Sequence, residues 1–472
     1  PPADSLTIAR RLALALTGSI PSLQEIRALE SLAEEQRLDW WLAHLFADRR
    51  TSDYLAERFV RVFVGTDAGP FISFRRGRLN EWVANHLHDN KPYDQMARSL
   101  IASEGVWTTN PEVNFITATL VPMKGVDESK LTARVSRAFL GVRMDCVECH
   151  DGKLDNPWKQ TDFHQMASFF GSARVALTGV SEDAKLSYEY RYLRKKEAEP
   201  VPAVVPWHSE LLPDEGKPRE RLARWITADE NRPFARATVN RVWALLFNKP
   251  LVEPVDDIPL EGPFPPGLEI LADDFTAHGC DLRRLFRVIA STRVFQLASQ
   301  AADPDQPLSA EAEAHWAAFP MTRLRPEQMA GSVIQAASLA TLDEDTSVFF
   351  RIKRGADVAN FVKRYGDTGE DGFEGPSATI PQRRLLMNGT LLREHTQPTA
   401  LLAAGSRIAL LAPGNSAAVE AAYLAVLTRR PTAVEAEHFT AMLGEVRGNT
   451  RAAAMYDLCA NLLNWPAFSW NN

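Results

Sequence analysis

The chain has 472 residues, 45 % of them hydrophobic and 24 % charged, with a formal charge of −7. That length exceeds one ordinary core, so two or three domains are expected, and the balance is that of a globular protein rather than a disordered one. The acidic balance argues against a nucleic-acid partner, and no apolar run reaches the roughly 20 residues that cross a bilayer. With only four cysteines, a disulfide scaffold is excluded.

The first half reads as helix after helix. Apolar positions three and four apart predict helices over 5–17, 22–33, 35–47, 51–64 and 76–89. Ser22-Leu23-Gln24-Glu25 is a capping box, in which hydroxyl and carboxylate each satisfy an orphan amide at a helix start. Trp158 to Phe170 reads as an amphipathic helix whose aromatic and Met residues suit the cover of a macrocycle. From Leu177 to Pro218 the chain turns polar, with charges at Lys195-Lys196-Glu197 and prolines at 200, 202 and 206, the composition of a linker. Helices are expected again over 219–247, 268–297 and 325–341, with an irregular Pro-rich stretch at 248–267. A glycine-rich loop from Gly355 to Gly375 precedes the last helices, about 381 to 464. There Thr432-Ala433-Val434-Glu435 repeats the capping box after Leu427-Thr428 and Pro431, as the first follows Leu16-Thr17 and Pro21. An internal repeat or simple convergence of two helical hairpins accounts for this equally. The expected fold is mainly α: a helical domain over 1–175, a linker or irregular insertion over 176–218 and a second helical domain over 219–472.

Between these helices lies Cys146-Val147-Glu148-Cys149-His150, a C-x-x-C-H motif, the pattern of covalent c-type haem attachment. Each thiol can form a thioether with one haem vinyl group, and the next residue places an imidazole under the iron. Half of the chain's cysteines fall in this one motif. A structural zinc site would need two further ligands, with His164 plus one other residue conceivable. A thioredoxin-like pair would want a βαβ context that the helical flanks do not offer. For the sixth iron position His164 leads, followed by Met123, with Met166, Met96 and the His86/His88 pair behind. Met144, six residues before His150, is poorly placed to reach the opposite face. A Met ligand would raise the potential, a second His would lower it, and no ligand would leave a site for peroxide, oxygen or a small substrate.

Two further clusters carry weaker chemistry. Arg236, Asn240, Arg241, Trp243, Asp256 and Asp257 would line a sugar-binding cleft or, as the commoner outcome, brace helices through ion pairs. Asp367, Glu370, Asp371 and Glu374 offer oxygens for calcium, but the twelfth position counted from Asp367 is Ala378, so no EF-hand is completed.

The chain resembles the planctomycete-type cytochrome-c-like domain joined to its usual C-terminal companion domain. The matching residues begin with Arg10-Arg11-Leu12, Leu16-Thr17-Gly18, Pro92-Tyr93-Asp94-Gln95 and Phe139-Leu140-Gly141-Val142, leading into Cys146–His150. They continue through Arg221–Trp225, Pro233–Arg236, Val239–Trp243, Arg323-Leu324, Pro381-Gln382 and Leu386-Met387-Asn388. The resemblance implies an exported, haem-binding bacterial protein with one covalent haem c. Family histidines are missing after the C-x-x-C-H motif, where Asp151-Gly152-Lys153 follows, at Leu245, and around Pro265-Pro266. That loss favours a carrier over a catalyst. The expected function is single-electron transfer to a redox partner protein or membrane complex. A haem enzyme acting oxidatively on a glycan and a haem-stabilised scaffold are the alternatives. The opening Pro1-Pro2-Ala3-Asp4 lacks Met, as expected if a signal sequence or lipid anchor has been removed, and the expected location is periplasmic or otherwise extracytoplasmic.

Overall fold

Local capping sets the first elements. Helix α1 (Ser5–Thr17) starts where Asp4 accepts the Thr7 amide at 2.7 Å and stops at Gly18, in the left-handed region at φ 66. A side chain there would strike the Tyr54 ring, so both the backbone and the space demand glycine. Helix α2 (Leu23–Glu30) begins on the expected capping box, Ser22 N–H to Glu25 at 2.7 Å and Glu25 N–H to Ser22 at 3.0 Å. Helices α3 (Glu34–Ala47), α4 (Arg49–Val64), α5 (Arg76–His88) and α6 (Tyr93–Ala102) follow, close to the spans that periodicity gives. A computed structural model of the protein describes residues 1–472 except 67–68, 70–72, 154–155, 194, 301–308, 344–345, 367–368, 370–402, 445 and 472.

Short helices α7 (Asn114–Thr117) and α8 (Glu128–Val135) lead to a π-turn over Ser136–Leu140 and a 3-10 turn over Asp145–Glu148. Helix α9 (Gln160–Ala167) then closes on a 3-10 turn at Ser168–Phe170. The segment expected as a linker or irregular insertion carries short strands. Strands β1 (Ala173–Ala176) and β2 (Gly179–Glu182) form one antiparallel hairpin, and β3 (Glu189–Tyr190) pairs with β4 (Glu199–Pro200). Val180, Val201 and Val205 are buried, and Arg219 clamps the segment through Glu182 at 2.9 Å. The polar composition hid a period-two signal, because Tyr188, Tyr190 and Tyr192 alternate with charged residues.

The expected helix over 219–247 is two, α10 (Pro218–Ile226) and α11 (Arg232–Phe247). Between them the Asn231 amide group donates to the Trp225 carbonyl at 2.8 Å, ending the first helix. The expected 268–297 helix also divides, into α12 (Pro266–Ala277) and α13 (Leu282–Ala290). There Gly279 and Cys280 both take positive φ, and Asp281 caps the second helix. Helices α14 (Ala310–Ala314), α15 (Pro326–Ala336) and α16 (Val348–Tyr365) continue the chain. After residue 402 come α17 (Ala404–Leu411), α18 (Asn415–Leu427), α19 (Ala433–Leu443) and α20 (Gly448–Asn464). The second capping box forms at α19, Thr432 N–H to Glu435 at 2.7 Å. A last two-stranded pair joins β5 (Thr322–Arg323) to β6 (Trp470–Asn471).

The hydrophobic core does not divide at 176–218. One cluster runs from Ala9 through Phe319, so α10 to α13 pack into the same core as α1 to α9. A second cluster gathers Leu324 to Phe468 and includes Leu14 and Ile20. Helix α1 serves both. Leu12 and Leu16, one turn apart, face the first cluster, and Leu14, half a turn round, faces the second.

Candidate functional site

The C-x-x-C-H segment is positioned from both sides. Upstream, the π-turn ends at Gly141, φ 62, whose Cβ would lie 3.0 Å from that of Ala237 on α11. The Gly141 carbonyl accepts the Ile258 amide at 2.7 Å. From Val142 to Met144, Val142 and Met144 are buried, and Arg143 between them is partly exposed. Arg143 forks onto buried Asp256 at 2.6 and 2.8 Å, and Arg137 meets the same carboxylate at 2.7 Å. Burial would raise the Asp256 pKa, but the two guanidiniums hold it below the ordinary carboxylate value.

Within the turn, Val147 is buried while Cys146 and Cys149 are exposed free thiols. Cys146 lies in the turn and Cys149 directly follows it, three positions on. His150 follows, exposed, its Nδ1 at 2.7 Å from the Asp151 carbonyl oxygen. A carbonyl only accepts, so Nδ1 is the donor in this bond.

Downstream, the Glu148 carbonyl is the anchor. It accepts from the Gln160 amide at 3.0 Å, His164 Nε2 at 3.0 Å and the Tyr190 hydroxyl at 3.4 Å. His164 is fully buried, stacked on Tyr190 with ring centroids 3.4 Å apart. Because its Nε2 donates to a carbonyl, its Nδ1 accepts from the Tyr188 hydroxyl at 2.8 Å. Burial lowers its pKa, in keeping with this neutral form. Asp151 accepts the Gln160 amide N–H at 2.9 Å, and Gly152 N–H meets the Trp158 carbonyl at 2.8 Å, closing the loop.

Cys146, Cys149 and His150 follow one another along this turn, and His164 touches it at the Glu148 carbonyl, with both ring nitrogens engaged. Met96 and Met166 are buried in the core, and Met123 is fully exposed at a tight turn. His86 binds the Pro92 carbonyl at 3.0 Å, and His88 lies 3.5 Å from the Ser52 hydroxyl. The apolar face of α9 also differs from expectation. Phe163, Met166, Phe169 and Phe170 pack inside the first core, against protein rather than toward the thiols, and Trp158 packs on Trp207.

The Arg/Asp cluster is a brace. Asn240 donates to Val252 O and accepts from Leu251 and Val252 amides at 2.9 Å, pinning the Pro-rich loop. Arg236 pairs with Glu269 at 2.5 Å, and Arg241 holds the Ala138 carbonyl at 2.7 Å. Arg137 and Arg143, the partners of Asp256, escaped sequence reading because they lie more than a hundred residues away. Among the described residues no group of three or more His, Cys, Asp or Glu side chains is set to hold a metal ion. The calcium candidates Asp367, Glu370, Asp371 and Glu374, like Pro381 and Leu386-Met387-Asn388, lie outside the described residues.

Fold and site together define a mainly α-helical protein built around an exposed C-x-x-C-H turn. A family model described as PSCyt2, protein of unknown function (DUF1549), matches residues 1–175, and one described as PSD1, protein of unknown function (DUF1553), matches residues 218–368. The chain therefore carries the two-domain planctomycete-type pairing. No curated protein and no solved structure gives a significant match. No helix among the described residues is long and apolar enough to cross a membrane.

Proposed function

We propose that the chain is an exported monohaem c-type cytochrome that passes single electrons, alone or within a larger redox assembly. Cys146 and Cys149 would carry one haem c, with His150 as axial base. One observation supports this above the others: two exposed free thiols sit three positions apart, in and directly after a short turn, next to an imidazole whose Nδ1 is already occupied. Attachment adds each S–H across one vinyl group, sulfur to one carbon and hydrogen to the other, and consumes no oxidant. When bound, the haem supplies an iron that takes up and releases one electron. The chain's own residues hold the turn: Asp151 fixes the His150 tautomer, Arg143 on Asp256 anchors the upstream segment, and His164 with Gln160 and Tyr190 grips the Glu148 carbonyl. In this reading His164 is a positioning residue. Covalent haem maturation takes place outside the bacterial cytoplasmic membrane, which makes the chain extracytoplasmic and its partner a redox protein or membrane complex.

The test is a pyridine haemochrome spectrum of the chain matured in a host competent for haem c. The unaltered chain should retain its haem through acidified solvent. Cys146→Ala with Cys149→Ala should release it, and His150→Ala should keep the thioethers but turn the iron high-spin. A chain that leaves that host without haem and with two titratable thiols would instead be a surface dithiol, and the proposal fails.

A further inference from the structure

A second site lies away from the thiols, between α4 and α16. The cleft there has a volume of about 780 Å³, within the roughly 300–1,000 Å³ of small-molecule pockets. We propose that it binds an organic anion with an apolar body, the charged head on Arg354 and the body along Leu342, Val358 and Val362.

The walls follow from helix periodicity. Arg50, Tyr54, Arg58 and Arg61 recur at three- and four-residue steps on α4, and Arg354, Val358 and Val362 recur at four-residue steps on α16. Gly355 and Ala359 line the same wall, and a Cβ at 355 would meet nothing within 4 Å, so small residues leave this space open. Six basic and four acidic side chains line the cleft, and three of the four carboxylates, Asp53, Glu57 and Glu327, are already engaged by arginines of α4. Arg49 meets Asp53 at 2.8 Å, Arg50 meets Glu25 at 2.6 Å, Arg58 meets Glu327 at 3.3 Å and Arg61 meets Glu57 at 3.2 Å. Arg354 differs. Among the described residues its hydrogen bond goes to the Leu342 carbonyl at 2.8 Å, and it forms no ion pair there. Burial, then the charge of Arg50 across the cleft, push its pKa down to about 10. Arg50 is already held between Glu25 and Asp48, each at 2.6 Å, so the charge left for an anion in this partly dry cleft is that of Arg354, which would repel a cation. The valines and Leu342 give an inorganic ion nothing, which is why the ligand needs an apolar body.

The probe is anilinonaphthalene sulfonate, titrated by fluorescence into the full chain, beside the uncharged phenylnaphthylamine with the same ring body. One sulfonate should bind. Arg354→Gln should weaken the sulfonate about tenfold or more and leave the neutral probe unchanged. Ala359→Trp should exclude both. Sulfonate binding by Arg354→Gln at wild-type strength overturns the charged head, and binding of both probes by Ala359→Trp overturns the location. Should a variant melt well below the parent, hydrogen exchange on the unaltered chain decides. Saturating sulfonate should slow amide exchange across 354–363, and slowing elsewhere alone, or none, overturns the site.

Discussion

His164 shows how one side chain can be read two ways. An imidazole fourteen residues after His150 looks like a ligand, yet its donated bond to Glu148 O and accepted bond from Tyr188 make it the post that holds the C-x-x-C-H turn. His164→Ala should therefore cost about 2–4 kcal/mol, through the cavity and the orphaned carbonyl, measured by urea denaturation. Its pH dependence has a definite sign. Burial lowers the folded pKa below the ordinary 6.5, so the unfolded chain takes up the proton first. Stability supplied by His164 is whole above about 6.5 and declines as pH falls from there through the folded pKa. The stability gap between the parent and His164→Gln should shrink as pH is lowered from about 8 to about 5. A gap that holds constant or widens would contradict the neutral, buried assignment.

The α2 capping box couples a local motif to a buried charge at the scale of the element. Burial alone would raise the Glu25 pKa, but bonds from His44 and the Ser22 amide, with the charge of Arg50, bring it down to about 2. Ser22→Ala removes one cap and should cost about 1 kcal/mol. Glu25→Ala also strips a partner from buried Arg50 and should cost about 3–5 kcal/mol, both read from thermal melts. Because the folded pKa is depressed, the Glu25 contribution is present above about 4.5 and drains away as pH falls toward about 2. The parent should lose more stability across that window than Glu25→Gln does. The second capping box is the exposed version of the same device, with Arg429 at 2.8 Å from Glu435. Both boxes were legible in the sequence because each is complete within four residues. Tyr188, Tyr190 and Tyr192 were equally local, but their alternation was masked by the lysines and prolines around them.

The whole molecule is organised by α1 rather than by the polar segment at its middle. The two helical hairpins that share a capping box also meet in space: Arg430 reaches Glu30 at 2.5 Å, Arg27 reaches Glu420 at 3.3 Å, and Leu424 packs with Leu6 and Ile26. With both core clusters seated on one helix, unfolding should be coupled. Leu14→Ala should cost about 2–5 kcal/mol and loosen α18 and α20, whose residues share its cluster. Hydrogen exchange should find the largest loss of protection there, with α5 and α6 less affected. Equal loss throughout would argue for one undivided core.

The sequence by itself determined what is local. Helix spans over the first ninety residues, both capping boxes, and the thiol–thiol–imidazole order of Cys146, Cys149 and His150 are all written in stretches no longer than a single helix, where propensity and periodicity act directly. Only the tertiary structure decided which side chains meet across the chain: that Asp256 is the counter-charge of Arg137 and Arg143, that His164 anchors Glu148, that α9 buries its aromatic face in protein, and that α4 and α16 enclose a cleft. Those outcomes depend on contacts between residues tens to hundreds of positions apart. Such contacts are fixed by the packing of whole helices, to which no short window of sequence has access.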